Sequence, residues 1–190
     1  MKTKHTLFLS LFLMFTLIAP SVLVSAESIH PVGQLDVIEC QPIESSDALL
    51  LEQSFLNNND MHPLGLNPPN SYWNLLSLPY NGAFEGVSDG SGLYTNYYFT
   101  PGGSGGTRLY IKITTWGYRD ASNSPATHYY VKMYDRTTGQ HLYTNRLAVG
   151  TTTTLSAIYL NPNHSYYYSF SAEGSYRKLS GQFTVAHSSP

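Results

Sequence analysis

Cysteine is nearly missing from this chain. Cys40 is the only one in 190 residues, so no internal disulfide can form and stability has to come from a packed core. Lysine and arginine are missing altogether between Glu27 and Asp89, a stretch of 63 residues that carries nine acids. After Ile18 no apolar run approaches the roughly 20 residues that a bilayer-spanning helix needs. Charge is thin throughout, at 12% of residues. Recognisable catalytic grammar is lacking too. No Gly-x-Ser-x-Gly elbow lies between a strand and a helix, and no two histidines stand at the i, i+4 spacing of a helical zinc site. Ser104 sits in a Gly-Gly-Ser-Gly-Gly loop with no lysine after it, which excludes a phosphate cradle. Asp89-Gly90-Ser91-Gly92 offers one carboxylate where a calcium loop supplies several oxygen ligands, so it reads as a turn. No cofactor and no metal site are expected.

What is present starts with an address. Lys2, Lys4 and His5 precede an apolar run from Leu7 to Ile18, broken only by Ser10 and Thr16, and Val24-Ser25-Ala26 follows with small residues. This pattern is that of a secretory signal peptide, residues 1–26, with cleavage after Ala26. Its core of about a dozen residues is too short to span a bilayer, so a secreted, extracellular protein without a transmembrane segment is expected. Lipid attachment at Cys40 is excluded, because Asp36 and Glu39 interrupt the apolar run it would need.

Charge then divides the mature chain. Residues 27–89 carry −9, whereas the remainder has eight bases against three acids, or +5. Such a split marks a boundary. The reading is an acidic leader over 27–71, largely irregular, followed by a folded domain over 72–190 with its core in 93–187. Within the leader, Ser46 can cap a short helix that places Ala48, Leu51 and Phe55 on one face. Opposite charges predict weak, salt-sensitive docking of leader on domain, with Trp73, Leu75, Leu76 and Leu78 as an apolar anchor. A solvated spacer is the alternative. The apolar segment 72–78 reads as an outlying strand ended by Pro79 and the Asn81-Gly82 turn.

The domain is rich in strand formers, with 16 tyrosines among its aromatics. Seven strands are expected, at 93–100, 107–116, 127–135, 140–147, 151–159, 164–172 and 181–186, each bounded by Gly, Pro, Asn or Asp. Period-2 alternation directs Leu109, Ile111, Ile113, Val131, Met133, Tyr166, Phe170, Phe183 and Val185 into one core. Seven half-buried strands with no intervening helix imply an all-β, antiparallel two-sheet β-sandwich, Ig-like or jelly-roll-like.

The run Leu160-Asn161-Pro162-Asn163-His164-Ser165-Tyr166 resembles the tyrosine corner of fibronectin type III modules, and Trp116 stands near where those modules keep a core tryptophan. Tyr98-Phe99-Thr100-Pro101-Gly102-Gly103, Val131-Lys132-Met133-Tyr134-Asp135, Tyr166-Tyr167-Tyr168 and Gly181-Gln182-Phe183-Thr184-Val185 are similar to bacterial pre-peptidase C-terminal domains. Both resemblances cover residues 93–187 and imply a β-sandwich, which fixes fold rather than function.

One surface pattern stands out. On the third expected strand His128, Tyr130, Lys132, Tyr134 and Arg136 alternate with the core residues, giving an aromatic and basic face. In an Ig-like arrangement the sixth strand adds Tyr167 to it. Aromatic planes stack on sugar rings while cations attract anionic polymers; equally, cross-strand tyrosine and lysine pairs stabilise a sheet with no ligand. A second candidate face is Arg108, Tyr110, Lys112 and Trp116. The expectation is a non-catalytic module whose partner is a polysaccharide or cell-surface polymer, with no nucleic acid. A structural envelope protein without ligand and a small hydrolase are the rival classes.

Overall fold

The computed structural model describes residues 34–44, 61–87, 92–102, 106–117, 125–174 and 177–190. The signal peptide, the short helix around Ser46, Asp89-Gly90-Ser91 and Ser104 lie outside them. No α-helix occurs among the described residues, and none of their helical turns is long and apolar enough to cross a membrane.

In chain order the strands are β1 (Gln34–Pro42), β2 (His62–Pro63), β3 (Ser71–Tyr72), β4 (Tyr80–Val87), β5 (Leu93–Tyr94), β6 (Tyr97–Tyr98), β7 (Leu109–Gly117), β8 (His128–Asp135), β9 (Gln140–Ala148), β10 (Thr151–Ile158), β11 (Tyr166–Ala172) and β12 (Leu179–Ala186). They form a six-stranded sheet in the order β1-β10-β7-β12-β4-β2, a four-stranded sheet β5-β11-β8-β9, and the two-stranded ribbon β3-β6.

The two larger sheets share one apolar core. Phe84 on β4 and Phe183 on β12 meet Phe170 on β11, with ring centroids 4.9 Å apart in both pairs. All nine core residues expected from alternation are buried. Each such side chain contributes about 1.5–3 kcal/mol through removal from water.

Four expectations are corrected. First, the acidic segment is no detached leader over its described parts, because β1 runs antiparallel to β10 from Gln34↔Ile158 to Pro42↔Thr151, and His62–Pro63 pairs with β4. Backbone ladder bonds, indifferent to salt, hold β1 in place of charge attraction. Second, Asn81-Gly82 is no turn but part of β4, near its start. Gly82 faces Phe183 across the strand pair and Gly181 faces Phe84. A Cβ on Gly82 would stand 2.2 Å from Phe183 Cζ, and one on Gly181 2.6 Å from Phe84 Cζ, so each glycine leaves room for the ring opposite.

Third, 93–100 is two short strands. Buried Thr95 interrupts them, its hydroxyl donating to Tyr97 O (2.9 Å) and accepting from Tyr168 N (3.3 Å). Fourth, of the segment 72–78 only Tyr72 pairs as strand, with Ser71 before it, parallel to β6. Trp73 then packs with His62, Tyr80 and Tyr97 in a cluster whose centroids lie 5.0–5.7 Å apart, while the chain turns.

Candidate functional site

Alternation along β8 leaves His128, Tyr130, Lys132 and Tyr134 half-buried on the side away from the core, while Tyr129, Val131, Met133 and Asp135 are buried. The third and sixth expected strands, β8 and β11, do lie side by side. Their register sets Tyr167 opposite Tyr134, Ser169 opposite Lys132 and Ser171 opposite Tyr130. On the other flank β9 places His141, Thr144 and Arg146 opposite Tyr134, Lys132 and Tyr130. β5 adds Tyr94 beside Ser169.

These registers make a row of rings across all four strands. Tyr134 and Tyr167 are stacked at 5.0 Å with planes 7° apart. Tyr94 lies 6.0 Å from Tyr167, and His141 lies 5.2 Å from Tyr134. Tyr134 and Tyr167 thus have ring neighbours on both flanks, and Tyr167 keeps only 8% of its surface exposed. Tyr167, expected to extend a solvent-exposed face, is instead buried for that reason. Burial, and after it the neighbouring tyrosines, raise the Tyr167 hydroxyl above the ordinary phenol value. The stacked pair Tyr134 and Tyr167 turn ring faces toward each other.

Lys132 stands next to the row, between Ser169 and Thr144, and no ion pair joins it to a described residue. One strand position further along the picture reverses. Glu173 takes a two-pronged bond from Arg146, Nε to Oε1 and Nη2 to Oε2, both 2.7 Å, and a third from the Tyr130 hydroxyl at 2.7 Å. His128 Nδ1 is 3.6 Å from the same carboxylate. The Arg146 bonds first, and the Tyr130 bond second, hold the Glu173 carboxyl down to about 2. Bonding to that carboxylate raises the Tyr130 hydroxyl in turn. Tyr130 and Arg146 are therefore occupied by a protein partner.

Arg136 leaves the face. It follows the last residue of β8, and its guanidinium lies 4.4 Å over the Tyr98 ring while Nε donates to Pro69 O at 3.1 Å. Of the sequence-derived set, the fold groups Tyr134, Tyr167 and Lys132, ties Tyr130 into the carboxylate clasp, and turns Arg136 toward the ribbon β3-β6. Tyr94, His141, Arg146 and Glu173 belong to the face as well and were not nominated from sequence. The second candidate face lies on the outer side of the six-stranded sheet. There Arg108 is exposed, Tyr110 and Lys112 are half-buried, and Trp116 is buried.

The described histidines have protein partners. His141 Nε2 bonds Tyr143 O (2.8 Å) and the Thr144 hydroxyl (2.9 Å), His164 Nδ1 bonds Asp135 Oδ2 (2.7 Å), and His187 Nε2 bonds Thr100 O (3.0 Å). Among the described residues no group of three or more His, Cys, Asp or Glu side chains is placed to hold a metal ion. The Tyr166 hydroxyl accepts from Asn161 N (2.9 Å) and donates to Asn161 O (3.3 Å) above buried Leu160. Burial pushes that hydroxyl up to about 12. No protein-family model, no curated protein and no solved structure matches the chain.

Proposed function

We propose that the mature chain is an exported, non-catalytic β-sandwich module that adheres to an acidic polysaccharide or similar anionic cell-surface polymer through the outer face of the four-stranded sheet. The observation that carries this reading is the row Tyr94, Tyr167, Tyr134 and His141 with Lys132 beside it, in no ion pair with a described residue. Tyrosine rings and hydroxyls suit the alternating C–H and O–H groups of a sugar chain, and the ammonium of Lys132 suits a carboxylate or sulfate on it. A flat sheet face suits a long polymer better than a small molecule. Export is supported by the N-terminal signal pattern. The Ig-like or jelly-roll reading, and with it the resemblance to fibronectin type III and pre-peptidase C-terminal domains, rests on the two-sheet core and on the Tyr166 hydroxyl bonded at Asn161. The module works without a cofactor and without nucleic acid.

A glycan and cell-wall polymer array tests this. The probe has to be residues 27–190, since β1, β2 and β4 belong to the sheets. Binding is expected to acidic polymers, lost in Tyr134→Ala and weakened in Lys132→Gln while both variants keep the parent melting temperature within a few degrees. One observation favours the rival, a structural protein without ligand: Tyr134 and Tyr167 are already flanked by rings, and Tyr130 by Glu173. Silence across the array would establish that reading.

A further inference from the structure

Residues 61–84 contain no Asp, Glu, Lys or Arg, although Asp60 and Glu85 bracket them. Within this stretch the turn 73–78 is tightly framed. Asn74 Oδ1 accepts from Leu76 N (3.1 Å), Asn74 O accepts from Ser77 N (3.1 Å), and the Trp73 indole donates to Leu78 O (3.0 Å). Leu75 is buried in the core and Trp73 packs in the ring cluster with His62, Tyr80 and Tyr97. Leu76 and Leu78 remain outside, with 82% and 64% of their surface exposed. A floppy loop would fold such leucines back onto the protein; here the frame holds them out. This also corrects the expectation that all four apolar residues act as an internal anchor, because only Trp73 and Leu75 do.

We infer that this turn is a lipid-inserting tip, with Leu76 and Leu78 entering the acyl region of an anionic bilayer. Scattered exposed leucines need no explanation, but two on one hydrogen-bonded turn in a charge-free stretch form a pattern. A protein partner needs roughly 800 Å² of matched surface on each side, and a two-leucine turn falls far short. A bilayer accepts single protruding side chains, because its interior closes around each of them. The charge-free stretch brings no ion to be desolvated. Tyr72, 44% exposed, and half-buried Trp73 sit one step behind the tip, where amphipathic rings occupy the headgroup layer. Arg136, exposed and lying over the Tyr98 ring that contacts Tyr72, supplies a cation for anionic headgroups. This site lies on other residues than the polymer-binding face and goes beyond it.

The test is co-sedimentation of residues 27–190 with vesicles of mixed phosphatidylcholine and phosphatidylglycerol; the first 26 residues are left off because their apolar run would itself bind lipid. The parent is expected to bind, and the double variant Leu76→Ser, Leu78→Ser to bind about tenfold more weakly or worse. Both leucines are exposed, so the melting temperature should not fall, and a lost fold is thereby distinguished from a lost tip. Tyr134→Ala should leave vesicle binding intact, so failure of the polymer reading and failure of this one separate cleanly. Equal binding by parent and double variant, or no binding by the parent, overturns the inference. So does self-association of the parent that the two serines abolish without any vesicle binding, which would make a second copy of the chain the occupant.

Discussion

The two faces of the four-stranded sheet are made by the same strands, residue by residue in alternation, yet they differ in what opposes them. On the inner face Val131, Met133, Tyr168 and Phe170 are fully buried, because the six-stranded sheet closes over them. On the outer face Tyr130, Lys132 and Tyr134 touch only neighbours of their own layer and stay half-buried. An inner side chain is held from all sides, an outer one from its flanks. Stability therefore concentrates inside, and the outer face is free to carry chemistry at small cost to the fold.

Substitutions on the two faces put numbers on that contrast. The largest effect belongs to Phe170→Ala, which opens a cavity between Phe84 and Phe183 and should cost about 3–5 kcal/mol in urea denaturation. Its outer counterpart on the paired strand, Tyr134→Ala, should cost about 1 kcal/mol or less, since only flanking ring contacts go. Equal losses would abolish the distinction between the faces. An added methyl probes the inner side from the opposite direction. Gly82→Ala sets a Cβ into the Phe183 ring, so the ring has to move, and we expect about 1–3 kcal/mol of destabilisation from calorimetry. An unchanged melting temperature would mean that the packing at this crossing is loose.

The smallest effect is electrostatic and depends on pH. The Glu173 carboxyl is lowered in the fold from an ordinary 4.5 to about 2. A group lowered in this way stabilises the folded state above its unfolded value, and its contribution fades as pH falls through the folded one. The difference in melting temperature between the parent and Glu173→Gln should thus be small and constant above about pH 5, and close between 4.5 and 2. The clasp is solvent-exposed, so its contribution stays modest. A difference that persists at pH 2 would mean that the substitution acts through something other than the carboxylate charge.

How much of this could be read from residues alone depended on whether alternation survived locally. In β7, β8 and β11 the apolar residues recur at every second position, and the core and the outward face both followed from that, while the β8–β11 partnership came from the Ig-like arrangement expected of the strands. β4 escaped because Asn81-Gly82 imitates a turn, and the reason for a glycine there, the Phe183 ring, lies a hundred residues away in the chain. β1 escaped because its acids drew attention to charge when its backbone is what pairs. His141 and Arg146 could not be placed together, since an odd spacing sends side chains to opposite faces of a regular strand. A register shift in β9 opposite Met133 and Tyr134 restores them to one side. Glu173, just past β11, had no signal at all before the register was known.

The position of β12 bears on how the chain is made. This strand follows all the other described strands in the chain, and it lies between β7 and β4, joined to both. Every member of the four-stranded sheet has been synthesised by Ala172, so that half can assemble early. The six-stranded sheet cannot, because until Ala186 emerges it exists as two fragments, β1-β10-β7 and β4-β2, with the gap at the centre. A sheet closed by so late a strand stays open while the rest is made, and a chain cut before Leu179 would be left with two exposed sheet edges and no means of joining them.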